Sequence, residues 1–173
     1  QAAMLPWLIL SQTVPLIALA PIVVSWGGRI DGWERWMSVA VIASYLAFFP
    51  VAVGALRGLQ SPTAAQVDLL RAQGASWWST IRYLRLPAAV PYLLSALRLG
   101  AAAAIVGAVV AEVSTGSRGG IGRLIVEYAQ AGSSDPARGW SPIFGAVVMG
   151  LAVAGLVALA GLALARYRRM EAA

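Results

Sequence analysis

The sequence has no cysteine, no histidine and no lysine. Without cysteine there are no disulfides, thiolate metal sites or cysteine nucleophiles, and without histidine serine–histidine hydrolysis and most zinc sites are excluded. Charge is also scarce, because 12% of the 173 residues are charged whereas soluble domains carry about 25%. Since 60% of the residues are hydrophobic, we expect lipid to be the solvent for most of the chain.

The charge that is present comes from 13 arginines against 7 acidic residues, a net charge of +6. In a chain this hydrophobic the excess of arginine indicates orientation in a membrane, so we expect a lipid environment and no nucleic-acid partner. The chain begins at Gln1, inside an apolar run and without an initiator methionine. We therefore expect the natural protein to extend beyond this amino terminus.

Long stretches with little or no charge predict membrane helices, because about 20 apolar residues cross about 30 Å of hydrocarbon. Backbone groups that face lipid must be satisfied within their own segment, so these stretches should be α-helical. The predicted fold class is all-α, a polytopic membrane helical bundle that forms a single domain over residues 1–173. Its four spans are predicted at about residues 4–26, 36–56, 88–111 and 140–165.

The segments outside the predicted spans differ in charge. Segment 57–87 holds four arginines against one aspartate, and the tail after residue 165 holds three arginines against one glutamate. Arginine accumulates on the cytoplasmic side of membranes, and with four spans both segments lie on the same side. We therefore expect segment 57–87 and the carboxyl terminus in the cytoplasm. The balanced segment 112–139, here called the outer segment, is expected on the opposite side.

Segment 57–87 predicts two short helices joined at a glycine. Ser61 is expected at the N-cap of the first helix, with Pro62 at its first helical position and Gly74 as the left-handed residue after its end. Ser76 is expected to cap a second helix that runs to about Leu84. Such an elbow is either a membrane-surface anchor that uses its two tryptophans or a docking site for a cytoplasmic partner.

The same segment resembles the signature loop of binding-protein-dependent ABC importer permeases. That pattern is Glu-Ala-Ala, three residues, Gly, nine residues, then Ile-x-Leu-Pro. In this sequence Asp68, Leu69 and Leu70 stand at the first three positions, where they depart from the pattern, and Gly74, Leu84, Leu86 and Pro87 fill the rest at the same spacing. Other stretches are similar to the nitrate/sulfonate/taurine branch, namely Gln12–Pro15, Phe48–Pro50, Val110–Glu112 and Gly119–Gly122.

This resemblance implies a type I ABC importer permease fold, in which members of the branch have six spans and this sequence supplies the last four. It implies a multi-pass protein of the bacterial inner membrane that works with a second permease chain as a homodimer, two cytoplasmic ATPase subunits and an external substrate-binding protein. The solute would be an anion like nitrate, a sulfonate or taurine, or a vitamin precursor such as a pyrimidine or flavin.

The chain is expected to be a transport subunit and not an enzyme, with no cofactor of its own. It has no Gly-x-x-x-x-Gly-Lys-Ser/Thr motif, so ATP would be bound by the partner ATPase. The resemblance implies that one group of residues contacts that ATPase: Asp68, Leu69, Leu70, Arg71, Gly74, Ala75, Ser76 and Trp77.

Polar side chains inside or at the ends of the spans are candidates for a translocation path. A charge at mid-membrane costs about 2.5–3.5 kcal/mol on insertion scales, so Arg98 either attracts an anionic substrate or makes a structural contact near the cytoplasmic half. Glu112 serves an outer gate, contacts the binding protein or simply lies at the interface. The uncharged candidates face either the path or a neighbouring helix. The candidates are Gln12, Thr13, Ser44, Tyr45, Arg98 and Glu112.

Two other classes of function compete with this interpretation. An intramembrane enzyme lacks its residues, because histidine is absent and Asp31, Asp68 and Asp135 all lie outside the predicted spans. A passive channel or a membrane assembly scaffold would use the same spans without an ATPase partner. Copurification of a nucleotide-binding subunit distinguishes the permease from both.

Overall fold

The computed structural model of the protein describes residues 4–11, 13–116, 119–131 and 137–163. Within these ranges the chain consists of helices and their connections, without β-strands. The helices in chain order are α1 (Met4–Ser11), α2 (Leu16–Gly27), α3 (Arg35–Leu59), α4 (Ala64–Ala72), α5 (Trp77–Thr80), a π-helix (Ile81–Arg85), α6 (Leu86–Thr115), α7 (Ile121–Gln130) and α8 (Trp140–Ala163).

Among the described residues, three helices are long and apolar enough to cross a membrane: α3, the run Trp77–Thr115, and α8. They contain the predicted spans 36–56 and 88–111 and most of the span 140–165. Only 6% of the most apolar window of α3, and none of that of α8, is buried within the chain. Apolar side chains left uncovered on this scale need lipid or another membrane chain around them, so the structure confirms an all-helical membrane fold.

The first predicted span, 4–26, is divided into α1 and α2. After α1 ends at Ser11, the hydroxyl of Thr13 donates to the carbonyl oxygen of Leu10 at 2.8 Å. Pro15 then stands at the N-cap of α2 with φ −67° and ψ 118°. Proline has no N–H to donate and disfavours helical geometry at the residue before it, so the break falls where Pro15 stands. The count of four spans in a single domain stays a prediction.

The described residues group into two compact units. The first is drawn from Gln1–Phe49 and Gly100–Ala154, and its core contains Ala20, Ile42 and Ala111. The second is drawn from Pro50–Leu99 and Gly155–Ala173.

Small residues allow close helix packing in both units. In the second unit a Cβ added at Gly58 of α3 would lie 2.8 Å from the Cα of Ala89 in α6. In the first, a Cβ at Gly107 would lie 3.1 Å from the Cα of Ala43. Helices associate this way in membranes because small side chains let backbones approach closely where no hydrophobic effect drives them together.

Candidate coupling surface and membrane path

Helix α4 begins later than the sequence predicts. Its N-cap is Thr63, whose hydroxyl accepts from the backbone N–H of Gln66, while the Gln66 side chain accepts from the backbone N–H of Thr63. This reciprocal capping box satisfies two backbone donors at once. The predicted cap, Ser61, instead donates its hydroxyl to the carbonyl oxygen of Gly58 at 2.8 Å and so closes the end of α3. The prediction of Ser61 as N-cap, with Pro62 at the first helical position, was therefore wrong.

The joint at Gly74 has the predicted left-handed geometry, with φ +78°. The N–H of Gly74 donates to the carbonyl oxygen of Arg71 at 2.9 Å, and the N–H of Ala75 donates to that of Leu70 at 3.0 Å. These two bonds form a Schellman motif, which satisfies carbonyl groups at the end of α4 and turns the chain sharply. Because residues with a side chain rarely adopt this φ, glycine is strongly favoured here for conformational reasons.

The second half of the elbow begins as predicted and ends differently. The hydroxyl of Ser76 accepts from the N–H of Ser79 at 3.2 Å, which confirms Ser76 as the N-cap. The helix does not stop near Leu84 but continues through the π-helix into α6, giving one run of 39 residues to Thr115. Proline crowds the carbonyl group four residues before it, and the wider π turn lies just before Pro87. The proline is therefore accommodated without ending the helix.

Here "the elbow" means residues 61–80. Its predicted ATPase contacts are mostly exposed: Leu69 is 61% exposed and Trp77 is 69% exposed, whereas Leu70 and Ala75 are half-buried. Asp68 and Arg71 pair at 3.5 Å with both side chains 70% exposed, so solvent screens the pair and it contributes little stability. The elbow thus presents charged and large apolar groups that this chain does not cover.

Two further aromatic residues enlarge this surface, although they were not among the predicted contacts. Trp78 is 72% exposed and stacks edge-on against Trp77, with ring centroids 5.1 Å apart. Tyr83 is 71% exposed, and the guanidinium of Arg82 lies 5.9 Å from its ring centroid. The adjacent tryptophans were visible in the sequence, whereas Tyr83 lies in the π-helix, which the sequence did not predict.

The candidate path residues are distributed over both units. Thr13 is exposed at the break before α2, and Gln12 lies outside the described residues. Ser44 is exposed on α3 while the adjacent Tyr45 is half-buried. Arg98 is exposed on α6 in the second unit. The structure does not test which of these line a path, and that assignment stays a prediction.

Glu112 has a defined partner that the sequence did not predict. Its Oε2 accepts from the backbone N–H of Gly122 at 2.7 Å, at the start of α7. A Cβ added at Gly120 would overlap the carboxylate, so the absence of a side chain there makes room for it. The signal in the sequence was the run Gly119–Gly122, which lies seven to ten residues after a glutamate. Among the described residues no group of three or more acidic side chains could hold a metal ion.

Comparison with known proteins agrees with this architecture. The model of the family described as "binding-protein-dependent transport system inner membrane component" matches residues 1–169. The chain is 32% identical over 125 residues to a riboflavin transport system permease protein of Chloroflexus aurantiacus, covering 72% of this chain and 44% of the relative. It is 38% identical over 112 residues to a formylaminopyrimidine transport permease protein of Halalkalibacterium halodurans, covering 65% and 43%.

A taurine transport system permease protein of Escherichia coli is 31% identical over 115 residues, with 66% of this chain and 40% of the relative covered. The matched region is therefore less than half the length of each of these relatives. No solved structure gives a significant match to the chain. The family match over nearly the whole sequence, together with the long apolar helices, leads to one conclusion: the chain belongs to the inner membrane component family of binding-protein-dependent ABC importers, has its type I helical fold and resembles its sulfonate/taurine-type branch.

Proposed function

We propose that this chain is the permease subunit of an ATP-driven importer of a small solute, and that the elbow is the site at which a separate ATPase acts. The observation that carries the proposal is the exposed and capped elbow. Its first helix is closed at both ends by its own hydrogen bonds, and it presents Leu69, Trp77 and Trp78 uncovered by this chain. A surface patch of large apolar and charged groups of this kind is typical of a partner contact.

The elbow is suited to transmit force. Trp77, one of the proposed contacts, is also the first residue of the helical run that continues into α6. A displacement of the elbow by nucleotide-driven closure of the ATPase would therefore act directly on a membrane helix. The chain then alternates between two arrangements whose populations ATP and a loaded binding protein shift, while ATP itself is bound and hydrolysed by the partner.

The helix ends that we place outside, away from the elbow, carry tryptophans as a second membrane interface would. Trp26 lies near the end of α2, Trp36 near the start of α3, and Trp140 at the start of α8. They are 68%, 60% and 61% exposed, respectively. Exposed tryptophan at the ends of membrane helices is typical of the lipid headgroup region. All three stand on the side that the arginine distribution predicts to be outside.

The sidedness can be tested directly because the chain has no cysteine. Single cysteines at Ala72 in the elbow and at Gln130 at the end of α7, both exposed positions, can be labelled with a membrane-impermeant maleimide. On spheroplasts we expect Gln130→Cys to react and Ala72→Cys to react only after lysis. The reverse pattern would place the elbow outside the cell and disprove the proposal.

The coupling can be tested by copurification with the cognate ATPase. Trp77→Ala and Leu69→Ala should each reduce recovery of the ATPase at least several-fold, because each removes a large exposed apolar contact. Trp36→Ala changes a similarly exposed tryptophan that we place on the other side of the membrane, so it is the matched control and should leave recovery unchanged. Solute flux without ATP, or recovery unaffected by all three changes, would favour the passive channel or scaffold.

The solute class is proposed from the path candidates and the relatives. The relatives are named for riboflavin, formylaminopyrimidine and taurine, which are all small polar molecules. Arg98 is exposed within a membrane helix, and such a charge needs water, a substrate or another chain around it. If Arg98 attracts an anion, Arg98→Gln should raise the KM for an anionic solute while uptake of a neutral one is unchanged. Unchanged kinetics for both would leave Arg98 a structural contact.

A second copy of the chain is the proposed neighbour in the membrane. Helix α8 leaves almost all of its length uncovered within the chain, with Phe144 and Leu151 among its most exposed residues. Cysteine cross-linking along α8 should trap a dimer at positions on one face of the helix. Cross-linking absent along the whole of α8 would place the dimer contact elsewhere or leave the permease monomeric. Candidate solutes are best screened by their binding to the cognate external binding protein.

A further inference from the structure

We propose that Glu112 is a positioning residue that ties α7 to the outer end of α6 and so holds the outer segment in one arrangement during transport. Only the expected effect on uptake rests on the proposed transport function. The tie itself is a contact within the first unit and can be tested without transport. It assigns Glu112 a role distinct from lining the path.

The first argument is the unusual source of the cap on α7. The N-cap residue of α7 is Gly120, which has no side chain to accept from the first N–H groups of the helix. The first turn of a helix leaves such donors unsatisfied and carries a partial positive charge. The carboxylate of Glu112 supplies both the acceptor and the negative charge, at 2.7 Å from the N–H of Gly122. The cap that α4 and α5 take from their own N-cap residues therefore comes here from a different helix.

The second argument is steric. A Cβ at Gly120 would overlap the Glu112 carboxylate, and a Cβ at Gly122 would lie 2.5 Å from the carbonyl oxygen of Val109 and 3.0 Å from the Cβ of Glu112. The first turn of α7 thus lies directly on the last turns of α6, at a distance that only glycine allows. The hydrogen bond and the close approach are separate features, and both join the same two helices.

The third argument is the location of the tie. Ala111, next to Glu112 in sequence, is fully buried in the core of the first unit. On its other side α7 approaches α8, because a Cβ at Gly145 would lie 3.8 Å from the Cδ1 of Ile121. The start of α7 is thereby fixed against two membrane helices, whereas its far end, at Glu127 and Gln130, is exposed. Loss of the tie should therefore release the orientation of α7 while its helical structure can be retained.

The experiment separates two roles of Glu112: capping the first turn of α7 and holding α7 against α6. Glu112→Ala removes both, whereas the double variant Glu112→Ala with Gly120→Asn restores a local N-cap in the space that the carboxylate vacates. Glu127→Gln is the matched control, because it removes an exposed glutamate that pairs with Arg123 inside α7 at 2.8 Å. Hydrogen exchange at residues 121–124 measures how stable the first turn of α7 is. The distance between spin labels at Val113→Cys and Gln130→Cys reports its orientation, in a background that contains no other cysteine.

We expect Glu112→Ala to speed exchange at residues 121–124 about tenfold, since a hydrogen bond to a charged acceptor is lost. It should also broaden the label distance and reduce uptake several-fold. The double variant should recover slow exchange but keep the broad distance and the low uptake. The control Glu127→Gln should retain the narrow distance and normal uptake.

Several results would overturn the proposal. Recovery of uptake by the double variant would make Glu112 a helix cap and no more. Reduced uptake with an unchanged label distance would return Glu112 to the path, and a broad distance with normal uptake would remove any role of the tie in transport. If the wild-type chain with its partners transports nothing, the proposed function fails, and a narrow label distance in Glu112→Ala would independently refute the tie.

Discussion

The elbow and the outer segment differ in how the N-termini of their short helices are capped. Each contains a short helix whose end must be satisfied and whose direction must be defined. In the elbow, Thr63 and Gln66 cap α4 from within its own first turn, and Ser76 caps α5 in the same manner. In the outer segment, α7 starts at a glycine and is capped by Glu112 from another helix.

The two helix ends are therefore controlled differently: one by nearby side chains in the sequence, the other by a residue brought close by tertiary packing. A local cap depends on side chains within three residues, so it holds whatever the rest of the chain does and its helix can project from the membrane as a preformed unit. A cap from another helix also fixes position, because it exists only when the two helices lie together. The first helix of the elbow is thus ordered by its own side chains, as the proposed partner contact requires, whereas the start of α7 is held by another helix of the same chain.

The largest expected effect comes from adding one methyl group to the outer segment. Local helix propensity predicts that Gly122→Ala stabilises α7 by about 1 kcal/mol. The contact with the carbonyl oxygen of Val109 predicts the opposite, a loss of about 1–3 kcal/mol from overpacking. Gly155→Ala in α8, where a Cβ would meet nothing within 4 Å, is the matched control. Thermal unfolding in detergent should show a lower Tm for Gly122→Ala alone, and equal Tm values would refute tertiary control here.

The next largest effect is expected at the joint of the elbow. At Gly74 a Cβ would meet nothing within 4 Å, so the cost of substitution is conformational only. Gly74→Val should cost about 1–2 kcal/mol of strain at φ +78°, and should weaken ATPase copurification and uptake while membrane insertion is unchanged. Gly74→Asn keeps access to left-handed geometry and should retain most activity. Equal effects of valine and asparagine would mean that the space at Gly74 matters and not its φ.

A smaller effect distinguishes Thr63 from Ser61 as the N-cap of α4. Thr63→Ala should cost about 1 kcal/mol and speed hydrogen exchange in the first turn of α4, because the capping box is lost. Ser61→Ala removes a bond to the end of α3 and should leave exchange in α4 unchanged. Faster exchange in α4 from Ser61→Ala would restore the cap that the sequence pattern first indicated.

The smallest effect is expected for the charge pair on the elbow. Asp68→Asn removes its bond to Arg71, which at this exposure contributes at most about 0.5 kcal/mol. Stability should therefore hardly change, while binding of the ATPase should become less sensitive to salt if Asp68 contacts it. A marked loss of stability would mean that the elbow depends on this pair more than its geometry indicates.

The elements that the sequence predicted well are those with short-range causes. Long apolar stretches located α3, α6 and α8, and Gly74 and Ser76 identified the joint of the elbow correctly. The cap at Thr63 was missed although its partner Gln66 lies three residues away, because Ser61 followed by Pro62 makes an equally good local pattern. The choice between Ser61 and Thr63 as the N-cap of α4 depends on the bond that Ser61 makes to α3.

The elements that were missed depend on where distant residues meet. The sequence did not predict the break between α1 and α2, because membrane helices tolerate proline. Pro21, Pro50 and Pro91 all lie inside continuous helices, whereas Pro15 is the N-cap of one. The continuity of the helix through Pro87 required a π turn, which no residue pattern indicated. The bond from the N–H of Gly122 to Glu112 was missed because the charge of Glu112 is visible in the sequence and its partner is not, while its place on a path stays a prediction.

By itself the sequence determined the solvent, the helical fold class and the local construction of the elbow, because composition, apolar length and capping act over a few residues. Only the tertiary structure decided that Glu112 caps α7 and that Gly122 and Gly58 lie against neighbouring backbones. The physical reason is range. A hydrogen bond or a steric contact between helices exists only after packing brings their backbones together. From the sequence alone, the same glutamate would suit a headgroup-facing position and the same glycine a lipid-facing one.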